Sequence, residues 1–498
     1  MSSHAKVVVA LGCMLALTAG AAGSARAQGG QPAPPSSKAV VMKGNAPVNE
    51  KVLEVKLPKP TEGDLANGIH LIVLEDHRAP QVTFQFVVTG AGGYFDAPNS
   101  IGLASATAAM MREGTSKLNT TQISEQLETM SSNLAVTTGM TSLDATIVGS
   151  ALTENIEKLF DLTADVLLHP AFPDEELAKY KTRTKTGLNQ NRANPGFLAA
   201  ELNAKVMYGD DPAGRLLMTP DQLDRVTRDA MVAFHQAKYV PDHSAIAFAG
   251  DITYERAKQL VESRLGGWKK TGAVVAAAKD PPPIGPAKVW LVDRPNSVQT
   301  NFIVGTQAIE RTNPDYDVLD VMNQVVGGGP TGRLFVHLRE EKGYTYGAYS
   351  GLSAGRYRGT WSAQTDVRSD VTEPALKDLL GELVAIRDTV VPAKELADRK
   401  RSLVASFALS LESPQQVLSY YVTRWIYKLP ADYWDKYPAR VMSVSAAQVQ
   451  AAARKYLDPA RMQIVAVGDG KKIEETLRKF GKLEVYDTEG KKVMGVIP

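Results

Sequence analysis

Residues 325–350 read VVGGGPTGRLFVHLREEKGYTYGAYS, and the chain is best read outward from them. Gly327-Gly328-Gly329-Pro330 reads as a helix C-cap and tight turn, since it lacks the Gly-Lys-Ser/Thr that a phosphate cradle needs. A helix is expected over Thr331–Lys342. Leu334, Phe335 and Leu338 share its inward face, Arg333, His337, Glu340 and Glu341 are solvated, and Arg339 borders the apolar stripe. A turn centred on Gly343 leads to a strand on which Tyr344, Tyr346 and Ala348 alternate, so the two tyrosines share a face. A guanidinium and a phenol held near each other on rigid elements form a donor pair for a carbonyl oxygen or an oxyanion. A capped helix, a turn and a half-buried tyrosine fit the same letters, and these residues alone leave both readings open.

Around this stretch the chain repeats itself. One block opens with IHLIVLED and QVTFQFVVTG, and the other with AKVWLVDR and QTNFIVGT, each a predicted strand pair. Each block has a helix-rich middle. Each closes with an apolar strand ending in Gly-Asp, SAIAFAGDIT (Gly250, Asp251) and MQIVAVGDGK (Gly468, Asp469), followed by a charged amphipathic helix. The pattern predicts an α+β fold of two homologous halves, each of two similar subdomains with antiparallel sheets covered by helices. The halves are 50–270 and 288–498, joined by a Pro-rich linker over 271–287 that contains Pro281-Pro282-Pro283.

The chain has 498 residues, enough for more than one domain. Residues 1–27 read as a secretory signal peptide: Lys6, the apolar run Val7–Leu17, then Ala25-Arg26-Ala27 with cleavage after Ala27. A lipoprotein site at Cys13 would truncate that apolar run. Residues 28–49, rich in Gly, Pro, Ser and Ala, read as a flexible linker. Cleavage removes Lys6 and Arg26 from the 56 basic residues, which leaves 54 against 54 acidic ones and a formal charge of zero. That balance argues against nucleic acid or an anionic membrane as partner. Cys13 is the only cysteine, so the mature chain has no disulfide, thiolate nucleophile or cysteine metal ligand. No later run reaches transmembrane length. Export to a bacterial periplasm is the expected destination.

Metal and nucleophile motifs are missing from the letters. The seven histidines include no pair four apart on a predicted helix, so there is neither H-E-x-x-H nor H-x-x-E-H. No G-x-S-x-G occurs.

GGGPTGRLFVHLREEKGYTYGAYS nevertheless closely resembles the second-half signature of the pitrilysin-like zinc peptidases, the inverzincins or M16 family. NGIHLIVLEDHRAPQVTFQFVVTGAGGYFDAPNSIGLA resembles that family's first strands and its approach to the metal helix, so the likeness covers the chain from about Asn67. The resemblance implies a clamshell of two such chains. It also implies that Arg339 and Tyr346 hold substrate backbone and stabilise the tetrahedral intermediate. The departure lies after Gly102-Leu103-Ala104. Where the family has H-x-x-E-H, this chain has Ser105, Ala108 and Ala109, and the family's distal glutamate ligand falls near Thr186. These side chains cannot hold Zn²⁺ or activate its water.

The resemblance therefore implies the non-metal subunit of a heteromeric metallopeptidase, inactive alone and binding no cofactor itself. Its zinc is expected in an H-x-x-E-H sister subunit, in a heterodimer or dimer of heterodimers that cleaves peptides. A catalytically inactive structural or peptide-binding member is the alternative. Asn133–Gly149 keeps strand character and could add a peptide strand by β-augmentation.

Overall fold

The computed structural model describes residues 55–493; the expected signal peptide, the 28–49 linker and residues 50–54 lie outside the described residues. The first half contains β1 (Thr61–Asp64), β2 (His70–Glu75), β3 (Gln81–Thr89), β4 (Asn133–Thr137), β5 (Asp144–Leu152) and β6 (Ser244–Gly250). The second contains β7 (Lys288–Asp293), β8 (Gln299–Gln307), β9 (Ala348–Ser353), β10 (Thr360–Arg368), β11 (Gln463–Gly468) and β12 (Leu483–Tyr486). Each half is one six-stranded sheet, ordered β1-β2-β6-β3-β5-β4 and β12-β7-β11-β8-β10-β9. Five strands of each sheet correspond in order and direction. The sixth does not. β1 precedes β2 in the chain and runs antiparallel to it, whereas β12 comes last and runs parallel to β7.

The α+β class and the two related halves are as expected, and two details differ. Each half has a single sheet rather than two subdomains, and the sheets are mixed rather than antiparallel. The cause is the strand ending in Gly-Asp. It returns after a long helical crossover and inserts between the two opening strands, so β6 is parallel to β2 and antiparallel to β3. β11 does the same between β7 and β8. The opening strands of each half are therefore not paired with each other. Gly250 permits this insertion: its φ is +125°, and a Cβ there would lie 2.0 Å from the Gln81 carbonyl oxygen.

Both faces of each sheet are apolar, because alternate residues of its strands are buried on opposite sides. In the first sheet, Leu71, Val73, Phe84, Phe86 and Phe248 pack under that half's own helices, with Phe160 and Leu260. The other face presents Ile72, Leu74, Val87, Ala247 and Ala249 to the core of the second half. There it is covered by the helix Pro414–Tyr427, which lies across β3 and β6 and brings Val417, Leu418 and Tyr421. The exchange is reciprocal. The helix Pro195–Tyr208, from the first half, lies across β8 and β11 and buries Leu198, Ala199 and Leu202 against Ile303, Val465 and Val467. Proline at the first turn starts both crossing helices, where its missing N–H has no partner to lose.

Polar contacts fasten the exchange. Tyr421 donates to the Pro58 carbonyl at 2.6 Å, Arg424 pairs with Glu62, and Trp425 stacks on His70 at 6.1 Å. On the other side, Gln307 Nε2 donates to the Met207 carbonyl at 2.7 Å. Residues 271–287 have no regular structure but are pinned along their length, with Thr271 N–H bonded to Asp242 and Arg358 bonded to Asp280.

Leu198→Ala should destabilise the chain by about 2–5 kcal/mol in urea unfolding, with probes in both halves shifting together; a shift confined to one half would contradict the exchanged packing. His70, with side-chain exposure of 18%, is held protonated above its ordinary 6.5 by its bond to Glu62 and, less strongly, to Asp64, against the opposing effect of burial. That contribution is fully present below pH 6.5 and is lost as pH rises through the raised value. The melting temperature should therefore fall across that upper window in the wild type, and His70→Gln should remove this part of the slope.

Candidate functional site

The segment 333–347 is more irregular than expected. Arg333–Phe335 is a short α-turn that passes into a π-helix over Val336–Glu341, and Lys342 N–H bonds back to the His337 carbonyl at 3.1 Å. Widened turns of this kind often sit at functional sites. Leu334, Phe335 and Leu338 are buried as expected. Arg333 and His337 are not simply solvated. Arg333 forks onto Glu395 through two 2.8 Å bonds, and His337 Nδ1 lies 2.8 Å from Glu382.

Gly343, at φ +63°, turns the chain, but the strand begins only at Ala348. Tyr344 and Tyr346 thus lie in the connecting loop, and the expected strand face shared by the two does not exist. A hydroxyl network closes this loop instead. Thr345 accepts from Gly347 N–H and donates to the Gly347 carbonyl, both at 3.0 Å, while the one hydroxyl of buried Thr365 lies within donating distance of Thr345 Oγ1, at 3.0 Å, and of the Gly347 carbonyl, at 2.9 Å. The loop is therefore built, yet it projects Tyr346 outward with 85% of the residue exposed.

Arg339 lies with its guanidinium 4.8 Å above the Phe335 ring. Its only ion-pair neighbour among the described residues is Glu340, at 3.4 Å. Phe335 in turn packs on Tyr349 at 5.5 Å. Tyr346 and Tyr349 line a groove of about 400 Å³ with Asn301, Gln364 and Asp366, and the first turn of the crossing helix contributes Gly196. A chain of ring contacts thus runs from Arg339 through Phe335 to Tyr349, which lines the Tyr346 groove, and among the described residues no hydrogen bond joins Arg339 to Tyr346. The sequence reading passed over Phe335 as a platform, Tyr349 as a wall and the Thr345–Thr365 latch. The recurrence of aromatics at 335, 344, 346 and 349 was the available signal for the first two.

The helix Leu103–Met111 carries the other set. It starts at Gly102, in the left-handed region at φ +92°. Asp96 caps it by accepting from Gly102 N–H at 2.8 Å and Ala104 N–H at 3.1 Å. Burial pushes the Asp96 carboxyl up to about 6 despite those donors. Arg112 fastens the far end by donating to the Leu134 carbonyl on β4 at 3.0 Å.

On this helix Ser105 and Ala109 are half-buried, Ala108 is buried, and the Ser105 hydroxyl points at the Thr138 carbonyl at 3.4 Å. Thr186 sits on the neighbouring helix Asp174–Ala193, exposed and bonded to the Thr182 carbonyl at 3.1 Å. A hydroxyl turned onto a carbonyl, two methyl groups and a distant threonine do not fit a zinc ion. Among the described residues no three His, Cys, Asp or Glu side chains are grouped to hold a metal. None of Ser105, Ala108, Ala109 or Thr186 borders the Tyr346 groove. A cavity of about 840 Å³ between the halves, beside His70 and Arg424, includes neither Arg339 nor Tyr346.

Residues 71–221 match the family described as Insulinase (Peptidase family M16), and residues 225–403 match the Peptidase M16 inactive domain. The chain belongs to the M16 peptidase family. Ser105, Ala108, Ala109 and Thr186 fall in the first match, and Arg339 and Tyr346 in the second. The chain is 25% identical over 355 residues to the zinc protease YmxG of Bacillus subtilis, covering 71% of this chain and 85% of YmxG. A solved peptidase M16 inactive domain from Pseudomonas fluorescens is 26% identical with a TM-score of 0.76, covering 82% of this chain and 98% of that one. A protease from Helicobacter pylori shares the fold, with a TM-score of 0.77 at 15% identity over 83% of this chain and all of that one.

If Ser105 and Ala109 occupy one accessible helix face, as their i, i+4 spacing requires, Ser105→His/Ala109→His should gain one weak, chelator-removable zinc site by titration calorimetry. The wild type should retain no stoichiometric zinc after dialysis. Stoichiometric zinc in the wild type, or none in the double variant, would contradict this placement.

Proposed function

We propose that this chain is the non-zinc subunit of an exported heteromeric zinc metallopeptidase, supplying Arg339 and Tyr346 in trans to peptide-bond hydrolysis in a closed chamber. The observation that carries this reading is a contrast within one molecule. A latched loop holds Tyr346 out into open space, and Arg339 stands over Phe335 a few residues earlier, while the metal helix offers only Ser105, Ala108 and Ala109. An exposed tyrosine on a built loop has no packing role on its own chain, so its setting suits a group that meets something outside. The match to an M16 inactive domain supports a chain that is not active alone.

In this reading zinc belongs to an H-x-x-E-H sister subunit, in a heterodimer or dimer of heterodimers. Tyr346 hydroxyl donates to the oxyanion that develops on the scissile carbonyl. Arg339, held over Phe335 with its fork largely free, binds a neighbouring substrate carbonyl or orients the tyrosine. Among the described residues no helix is long and apolar enough to cross a membrane, and the signal-peptide reading of 1–27 makes the bacterial periplasm the proposed compartment.

A second reading, a catalytically inactive structural or peptide-binding member, is favoured by the absence of any hydrogen bond between Arg339 and Tyr346. One experiment separates the two. The chain is mixed with an H-x-x-E-H sister chain and peptide hydrolysis is followed. Tyr346→Phe should lower kcat by about 10²–10³ with assembly unchanged. Full activity of the Tyr346→Phe complex would favour the inactive member.

A further inference from the structure

A second cleft opens on the first half, between the helices Thr120–Thr129 and Ile156–Leu168. Neighbouring helices normally face each other with apolar stripes. Here the facing stripe of one carries Gln122, Glu125, Gln126 and Thr129, at i, i+3, i+4 and i+7. The other presents Lys158, Asp161 and Asp165 at the same spacing. The result is an open cleft of about 690 Å³ that combines these polar groups with Leu118, Met130 and Leu162.

Asp165 lies at its base with only 8% of the residue exposed, and neither carboxylate oxygen has a hydrogen-bond partner among the described residues. Lys117 approaches Oδ1 at 3.4 Å on a largely exposed stem, out of hydrogen-bonding geometry, and leaves Oδ2 alone. Burying a carboxylate with so few partners costs several kcal/mol. Every other acid of comparable burial that faces a neighbour here is satisfied: Asp96 takes two backbone N–H groups, and Asp469 pairs with Lys472.

The geometry points to a docking pocket for the side chain of an arginine presented by a partner polypeptide. Asp165 holds Oδ2 without a partner and Oδ1 with only the 3.4 Å approach of Lys117, so a planar fork that displaces the exposed lysine can engage both oxygens where an ammonium reaches one. The amide oxygen of Gln126 and the carboxylate of Glu125 line the cleft and can take the remaining N–H groups, while the Gln122 amide oxygen already accepts from Asn119 N–H at 3.0 Å. Asp161 is already held by Arg264 at 2.6 Å. A metal ion does not suit the cleft, since no three ligating side chains converge among the described residues. Its volume exceeds one guanidinium and leaves room for the flanking backbone.

The test uses the full chain with ¹³C-methyl methionine, in which Met130 reports the cleft floor and buried Met322 serves as control. N-acetyl-arginine amide should shift Met130 saturably and leave Met322 unmoved. The citrulline analogue, equal in shape but uncharged, should bind at least about tenfold more weakly, and Asp165→Asn should lose the response to the arginine probe. Asp165→Asn keeps the volume and removes the buried charge, so its melting temperature should not fall; the citrulline arm tests the same claim with no variant at all. Equal binding of citrulline, an unchanged Asp165→Asn response, or no saturable Met130 shift would each overturn the pocket.

Discussion

Each sheet of this protein has two apolar faces and owns helices for only one. That shortage is the constraint on which the rest depends. A sheet with an uncovered apolar face cannot stand in water. The solution is an exchange, with Pro195–Tyr208 crossing to the second sheet and Pro414–Tyr427 to the first. Neither half is complete without the other, so the molecule behaves as one body although its sequence is a duplication. The 271–287 segment joins the two halves and is pinned to both, to Asp242 in the first and to Arg358 in the second. The Tyr346 groove likewise draws on both, since one wall of it is the first turn of a helix from the other half.

Much of this architecture was legible in the letters. The alternating strands, the two blocks and the closing Gly-Asp strands each have a local cause that a single window of sequence displays. The pairing of the opening strands was misread because sequence adjacency favours a hairpin. Insertion of β6 between β2 and β3 depends on a strand more than 150 residues downstream, which no local pattern reveals. The helix exchange was invisible for the same reason. The apolar stripe carrying Leu198 and Leu202 says that the helix is buried but not against which sheet.

The site divides along similar lines. Arg339, Tyr346 and the Ser105, Ala108 and Ala109 positions are singled out as letters in a family signature, and all of them fall within the two M16 matches. Their local geometry did not follow from periodicity. An α-helical count through Thr331–Lys342 assumes 3.6 residues per turn, and the π-helix over Val336–Glu341 breaks it. Extending the strand back to Tyr344 assumed that alternation means pairing, whereas Thr345 and Thr365 bond the loop to itself before the ladder begins. Hydroxyl groups offer the backbone an alternative to the sheet, and that alternative leaves Tyr346 free of its own core.

The metal helix shows why a chain of this family can lack its ligands and keep its shape. Leu103–Met111 is held at one end by the Asp96 carboxylate and the left-handed Gly102, and at the other by Arg112 on the β4 edge. Its underside is packed by Ala106, Met110 and Met111 in the core of the first half. None of these anchors involves the half-buried positions Ser105 and Ala109. Folding and metal binding are therefore uncoupled at this helix, in contrast to small domains whose fold is the metal site. The Tyr346 loop is likewise fastened without the metal helix, since its latch uses only Thr345, Gly347 and Thr365. Two regions fastened by separate anchors can change separately, so the side chains at Ser105, Ala108 and Ala109 place no constraint on the loop that carries Tyr346.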